Sequence, residues 1–158
     1  MSLIHRAADG DLLALFEESV RLTAAEVRAR VESEKDPLER LHRFVVEYYN
    51  LCRPKVSTRG KKNVPLALAE FAQHLMTASA QDATRAFSPL VSLFTEVFDD
   101  AVAAGAIRKD LDRQRVAGIL LEMIMFNSFS STIGGLVADP APGGPAEELW
   151  DLILNGIR

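Results

Sequence analysis

Apolar residues recur every three or four positions over most of this chain, which is the spacing of one face of an α-helix. No stretch shows the alternation of apolar and polar residues that is typical of a half-buried strand. The pattern therefore predicts an all-α fold, a bundle of about six helices. The predicted helices cover residues 11–32, 37 up to Pro54, 65–76, 81–104, 112–133 and 145–157. The predicted buried stripe of the first is Leu12, Leu15, Phe16, Ser19, Leu22 and Val27.

Several helix ends carry residues that fix where the chain turns. Asp36 before Pro37 predicts an N-cap followed by a first helical residue, and Glu39 completes a capping box. Gly105 suits the left-handed position that ends a helix, and Asp112 suits the N-cap of the next one. Because these two signals stand close together, we predict a short capped turn between two antiparallel helices.

One predicted helix, over 81–104, contains a proline. Pro89 lacks a backbone N–H and its ring crowds the preceding turn of a helix. The residue therefore either bends this helix or marks its true first turn.

The last two predicted helices carry more apolar surface than a single buried face requires. Glu122 is the only charged residue between Val116 and Ile133, so the fifth helix is apolar on every side. The sixth has two apolar faces, one of Leu149, Leu152, Ile153 and Ile157 and one of Trp150 and Leu154. Two neighbouring helices of this kind predict an interface shared with a second copy of the chain.

Length and composition limit the class of protein. With 158 residues, of which 48% are hydrophobic, the chain is long enough for one domain with its own core. Its net charge of −4 disfavours duplex-DNA binding, because phosphate contacts need clustered Lys and Arg. The single cysteine, Cys52, excludes a disulfide within the chain and fits a reducing, cytoplasmic setting. Neither a signal peptide nor a membrane span is expected.

The candidate metal chemistry is limited to Glu39-x-x-His42, which places a carboxylate and an imidazole on one helix face. Di-iron helical bundles use this pair twice, together with two further glutamates. Here it occurs once, and Glu70 and His74 stand four residues apart rather than three. We therefore expect a surface ion pair at Glu39 and His42, and no enzyme activity, metal or cofactor.

The turn around Gly105 also carries a resemblance to a known family. The residues concerned are Gly105-Ala106-Ile107-Arg108, Asp110-Leu111-Asp112 and Val116-Ala117, with 36–41, 87–90 and Glu148-Leu149-Trp150-Asp151. On these residues, the chain from about 11 to 158 resembles the C-terminal ligand-binding domain of TetR-family transcriptional regulators. The resemblance implies that the last two helices of each subunit pair with those of a partner in a four-helix bundle.

The same resemblance implies a function, that of an effector-sensing, dimerising domain of a transcriptional repressor. A small, largely apolar molecule would bind in a cavity between helices that offers a few polar anchors. The implied ligand-binding residues are His42, Tyr48, Tyr49, Phe71, His74, Phe94, Met123, Phe126 and Asn127. The implied homodimer interface comprises Ile119, Met123, Phe129, Leu149, Trp150, Ile153 and Ile157.

The N-terminus departs from the family pattern. A member carries a helix-turn-helix before the first helix, whereas residues 1–10 here read as a remnant of that module or as residues of cloning origin. We therefore expect one ligand-binding and dimerisation domain over 1–158, which contacts DNA only through a helix-turn-helix absent from this chain. Two other functions stay open: a standalone helical scaffold that binds other proteins, and a small metal-binding helical enzyme.

Overall fold

A computed structural model of the chain describes residues 3–52, 80–133 and 144–158, with side chains at 10, 13–51, 81–127 and 144–158. These residues form α1 (Leu3–Val31), α2 (Pro37–Cys52), α3 (Ala80–Ala103), α4 (Arg113–Ile133) and α5 (Gly144–Ile157). Every regular element in the described ranges is a helix, so the all-α prediction is confirmed for them. The helix predicted over 65–76, with Phe71 and His74, lies outside the described residues, as does the side chain of Phe129.

Two helices begin at the aspartate caps that the sequence predicts. Asp36 Oδ2 accepts the backbone N–H of Glu39 at 3.0 Å, and Asp112 Oδ1 accepts that of Arg115 at 3.1 Å. Each cap satisfies a backbone N–H that has no partner within its own helix, which stabilises the fold by about 1 kcal/mol. The predicted starts of α2 at Pro37 and of α4 just after its cap are therefore confirmed.

The turn that ends α3 is a Schellman motif. Gly105 has a φ of 76°, and its N–H donates to the Val102 carbonyl oxygen at 3.0 Å. The N–H of Ala106 donates to the Ala101 carbonyl oxygen at 3.1 Å. These two bonds satisfy carbonyls that the end of a helix leaves open, and a glycine takes the positive φ without the strain of a Cβ. The left-handed cap predicted at Gly105 is confirmed.

α1, α2 and α3 pack against one another around a core of aromatic rings. Phe44 of α2 meets Phe94 of α3 edge to face with 5.3 Å between ring centroids, and Phe94 stacks on Phe98 at 5.6 Å. Val27 and Val31 of α1 are fully buried in the same core. Burial of each such side chain stabilises the folded chain by about 2 kcal/mol. α4 then packs against α2 and α3, and α5 packs against α2.

α1 differs from its prediction in its start and in the face that it buries. It begins at Leu3 rather than at residue 11. Leu15 and Leu22 are each 55% exposed, so their predicted burial is wrong. Phe16 and Val27 are buried as predicted, and the buried line is completed by Val20, Ala24 and Val31. Which of two neighbouring apolar faces of a helix is buried depends on where the other helices pack, and helical spacing alone does not reveal it.

α3 includes its proline in its interior. The helix begins at Ala80 and continues to Ala103, with Pro89 between. The interpretation of Pro89 as part of a first turn is therefore wrong. Its ring still removes one backbone hydrogen bond from the helix, because proline has no N–H.

α5 packs against α2 and bonds to the turn that follows α3. The N–H of Arg108 donates to the carbonyl oxygen of Ile157 at 3.0 Å. The apolar residues of α5 that are buried within the subunit include Leu149, Trp150, Ile153 and Ile157. These four side chains therefore pack within their own subunit, and their place in a dimer interface stays a prediction. Among the described residues of α5, Leu152 is the large apolar side chain that remains exposed, at 72%.

Candidate functional site

An apolar cleft lies between α2, α3 and α4. Its volume is about 200 Å³, and it is partly open to solvent. The residues that line it are Tyr48, Ala83, Thr84, Phe87, Val91, Gly118, Leu121, Glu122 and Met125. A concave, mostly apolar surface with few polar groups is typical of small-molecule binding sites.

Small residues make room for the cleft, and packed aromatic residues hold its walls. A Cβ placed on Gly118 would meet no atom within 4 Å, so the missing side chain leaves open space beside α4. On α3, the ring of Phe87 meets that of Phe16 edge to face, with 5.3 Å between centroids. On α2, Tyr48 is only 2% exposed. These walls are thus fixed by the same packing that forms the core.

α4 presents three different faces. The core face contains Ala117, Leu120 and Ile124, the cleft face Gly118, Leu121, Glu122 and Met125, and the third face Ile119, Met123 and Phe126. The third face is apolar although it is exposed.

Neither α4 nor any other helix in the described ranges is long and apolar enough to cross a membrane.

The exposed face of α4 forms a row of large apolar side chains, which we call the α4 stripe. Ile119, Met123 and Phe126 are 56%, 40% and 60% exposed and stand one turn apart from each other. Single exposed apolar residues are ordinary, whereas a row of three on one helix face is typical of a surface that binds another chain. The stripe adjoins the cleft face in the helical register, because Glu122 of the cleft is three residues after Ile119 and four before Phe126.

A partly buried hydrogen bond joins α4 to α2 outside the cleft. The Tyr49 hydroxyl donates to Asn127 Oδ1 at 3.1 Å. Tyr49 is 1% exposed, and its ring belongs to the core. A tyrosine buried in this way needs a partner for its hydroxyl, and Asn127 supplies one.

Glu122 is the charged group of the cleft. Among the described residues, no side chain with a positive charge lines the cleft, and none of the ion pairs includes Glu122. Arg85, next to Thr84 on α3, pairs with Asp82 at 2.7 Å and lies 3.7 Å from Glu17. The cleft therefore combines an apolar lining with one carboxylate that the described basic side chains do not neutralise.

No protein-family model, curated protein or solved structure matches this chain. What the cleft binds must therefore be inferred from its shape, lining and charge.

The predicted ligand-binding residues are divided among several places in the structure. Tyr48 lines the cleft. Phe94 is fully buried in the aromatic core, and Met123 and Phe126 belong to the α4 stripe, so none of these three lines the cleft. His42, Tyr49 and Asn127 also lie outside its lining, and their side chains contact other residues of the chain.

Sequence reasoning missed several cleft residues, among them Phe87, Gly118, Glu122 and Met125. One signal was available for two of them. Glu122 is the only charged residue between Val116 and Ile133 of α4, and Gly118 precedes it by one turn. A carboxylate on such a helix must contact solvent or a polar partner. Its position therefore indicates where the apolar packing around the helix has an opening.

His42 lies at the contact between α2 and α5. Its imidazole stacks on the Trp150 indole, with 4.9 Å between centroids and 11° between planes. Its Nε2 lies 2.7 Å from Glu147 Oε2, and its Nδ1 lies 3.4 Å from Glu39 Oε2. Because the two carboxylates face opposite ring nitrogens, one metal ion cannot bind all three side chains. In the described part of the chain, no group of three or more His, Cys, Asp or Glu side chains is placed to hold a metal.

Proposed function

We propose that this chain is an effector-sensing, dimerising regulatory domain of the TetR type, which binds a small, largely apolar molecule in the cleft between α2, α3 and α4. One observation carries the proposal: α4 lines the cleft with one face and exposes the apolar α4 stripe on the next. A molecule in the cleft and a second chain on the stripe would therefore contact the same helix.

The cleft supports the binding half of the proposal. Its lining is mostly apolar, so transfer of an apolar ligand from water is favourable by about 25 cal/mol for each Å² buried. Its walls are made by residues that are already packed in the core, such as Tyr48 and Leu121. A preformed site of this kind avoids the entropic cost of ordering its walls on binding.

The α4 stripe supports the dimerisation half. Its three side chains would pack against the same three residues of a second α4 across a two-fold axis, since such an interface uses one surface patch on both subunits. Compared with the interface that the family resemblance implies, the proposed one keeps Ile119 and Met123 and gains Phe126.

Regulation follows from the shared helix. A ligand shifts a conformational equilibrium only if it binds one arrangement more tightly than the other. A molecule wedged between Phe87 of α3 and Leu121 of α4 would favour the arrangement in which these helices stand further apart, and the α4 stripe moves with its helix. We expect a coupling free energy between ligand and dimer of about 1–3 kcal/mol, which is common for allosteric proteins.

Analytical ultracentrifugation of four chains tests the proposal. Wild type is expected to be a dimer at micromolar concentration, and Ile119→Glu and Phe126→Glu are expected to be monomers of unchanged helix content. Leu22→Glu is the matched control, because Leu22 is an equally exposed leucine on α1. A monomeric wild type would contradict the proposal. So would a dimer that Leu22→Glu disrupts while Ile119→Glu and Phe126→Glu leave it intact.

The exposed α4 stripe also favours a second candidate, a helical scaffold that binds a different protein. That function needs no ligand in the cleft. It predicts a monomeric wild type, a partner whose binding Phe126→Glu abolishes, and no change of thermal stability with small apolar molecules. The ultracentrifugation result therefore separates the two candidates.

A further inference from the structure

We infer that the cleft is selective for lipophilic amines, molecules with an apolar body and a protonated amino group that pairs with Glu122. The inference rests on the proposed function, since it names the chemical class of the effector. It depends on three features of the cleft, which are its lining, the position of its carboxylate and the lack of a basic residue among the described residues that line it.

The lining provides for the apolar body of the ligand. Phe87, Val91, Leu121 and Met125 offer aromatic, branched and flexible apolar surface from both α3 and α4. Methionine adapts its shape to different apolar partners because its side chain is unbranched and its sulfur is polarizable. The cleft therefore fits an alkyl or aryl group and offers few hydrogen-bonding partners to a highly polar molecule.

The carboxylate stands where the amino group would lie. Glu122 and Gly118 are one helical turn apart on the same face of α4. Side chains on a helix lean towards its N-terminus, so the Glu122 side chain leans over the turn that contains Gly118. The open space left by the glycine is thus adjacent to a negative charge.

The charges of the described residues near the cleft favour a cation from the ligand. Arg85 of α3, next in the sequence to Thr84, already pairs with Asp82 and lies near Glu17. An anionic ligand would meet Glu122 without a compensating charge among the described lining residues. A neutral ligand would gain binding free energy from the apolar walls alone. A protonated amine would gain it from the apolar walls and from an ion pair with Glu122.

Isothermal titration calorimetry with three probes of equal chain length tests the inference. The probes are octylamine, octanol and octanoate, each kept below the concentration at which it aggregates and used at a pH where the amine is protonated. We expect the amine to bind wild type about fivefold more tightly than the alcohol, which is the gain of a partly exposed ion pair. Octanoate is expected to bind least tightly.

Substitutions at Glu122 and Gly118 test which group pairs with the amine and where the probes bind. Glu122→Gln is expected to bind amine and alcohol equally, while Glu148→Gln, which removes an exposed charge from α5, keeps the preference for the amine. Gly118→Leu fills the open space and is expected to abolish binding of all three probes. Since a Cβ at 118 meets nothing within 4 Å, this variant should retain its helix content, which circular dichroism checks.

The remaining outcomes separate the inference from the function on which it rests. Equal binding of the three probes to wild type, or an amine preference that persists in Glu122→Gln, would overturn the amine selectivity and leave a cleft that binds apolar molecules. No binding of any probe, or undiminished binding in a folded Gly118→Leu, would overturn both the selectivity and the proposed cleft function.

Discussion

The imidazole of His42 lies flat on the indole of Trp150, with 4.9 Å between centroids and 11° between planes. The contact joins α2 to α5, and the bond between His42 Nε2 and Glu147 lies beside it. Since the packing of α5 within the subunit is chiefly against α2, this pair is central to how the last helix is held. Trp150 is also the only tryptophan, so its fluorescence reports the docking of α5.

Replacement of His42 by Ala should loosen α5. The substitution removes the stack and leaves Glu147 without its 2.7 Å contact, which we expect to lower the free energy of unfolding by about 1–2 kcal/mol. Urea denaturation followed by tryptophan fluorescence measures this change. Glu39→Gln is the control, because the Glu39 carboxylate lies further from the ring, at 3.4 Å, and is exposed. An equal loss in both variants would contradict a special role for the stack.

Replacement of Gly105 by Ala should destabilise the turn between α3 and α4. The positive φ of 76° strains any residue with a Cβ, and we expect a cost of about 1–2 kcal/mol. Gly118→Ala is the matched control, since this glycine lies inside α4 with open space around its Cβ position, and the change there should stabilise the helix by up to about 1 kcal/mol. Thermal unfolding of both variants measures the change in stability relative to wild type. A change of the same sign in both would show that the turn does not need a residue in the left-handed conformation.

The same turn should show an acid-sensitive ion pair. Hydrogen bonds from the Arg108 guanidinium at 3.0 and 3.1 Å hold the pKa of Asp110 below its usual value. A lowered pKa means that the pair stabilises the folded chain above the usual aspartate pKa and that this contribution is lost as the pH falls through the lowered value. Carboxyl NMR titration should place the Asp110 midpoint low in wild type and higher in Arg108→Gln. A midpoint that the substitution leaves unchanged would contradict the pairing.

Local signals predicted the capped helix ends well, because each cap depends on a few adjacent residues. Asp36, Asp112 and Gly105 cap helices as expected, since the geometry of a cap is decided within one turn. The choice among apolar faces was less accurate. Leu15 and Val20 both lie on α1 at helical spacings, and only the position of α2 and α3 decides that the valine is buried and the leucine exposed.

The existence of an apolar cleft was predicted, and most of the residues that line it were not. An apolar cavity between helices followed from the family resemblance, but its lining depends on which residues of α3 and α4 meet across the gap. Tyr48 was among the ligand-binding residues that the resemblance implies, and it lines the cleft. Gly118 contributes by having no side chain, and no property of a single residue in the sequence distinguishes a glycine that opens a cleft from one that allows close packing.

The ion pairs between α1 and α2 should make stability depend on salt. Glu47 of α2 is 12% exposed and accepts hydrogen bonds from Arg30 of α1 and from Arg43, and Arg43 also pairs with Glu34 at 2.8 Å. Glu47→Gln keeps the size of the side chain and removes the charge that both arginines share. We expect it to lower the free energy of unfolding by about 1 kcal/mol at low ionic strength.

Salt should reduce the difference between wild type and Glu47→Gln, because screening weakens charge interactions near the surface. Urea denaturation in low and high sodium chloride measures both values. Glu18→Gln is the control, because Glu18 pairs with Arg21 one turn away on the exposed side of α1 and the substitution should change stability little at either salt concentration. A loss in Glu47→Gln that stays constant with salt would instead assign the effect to packing around a mostly buried side chain, and would contradict the electrostatic origin argued for the α1–α2 contact.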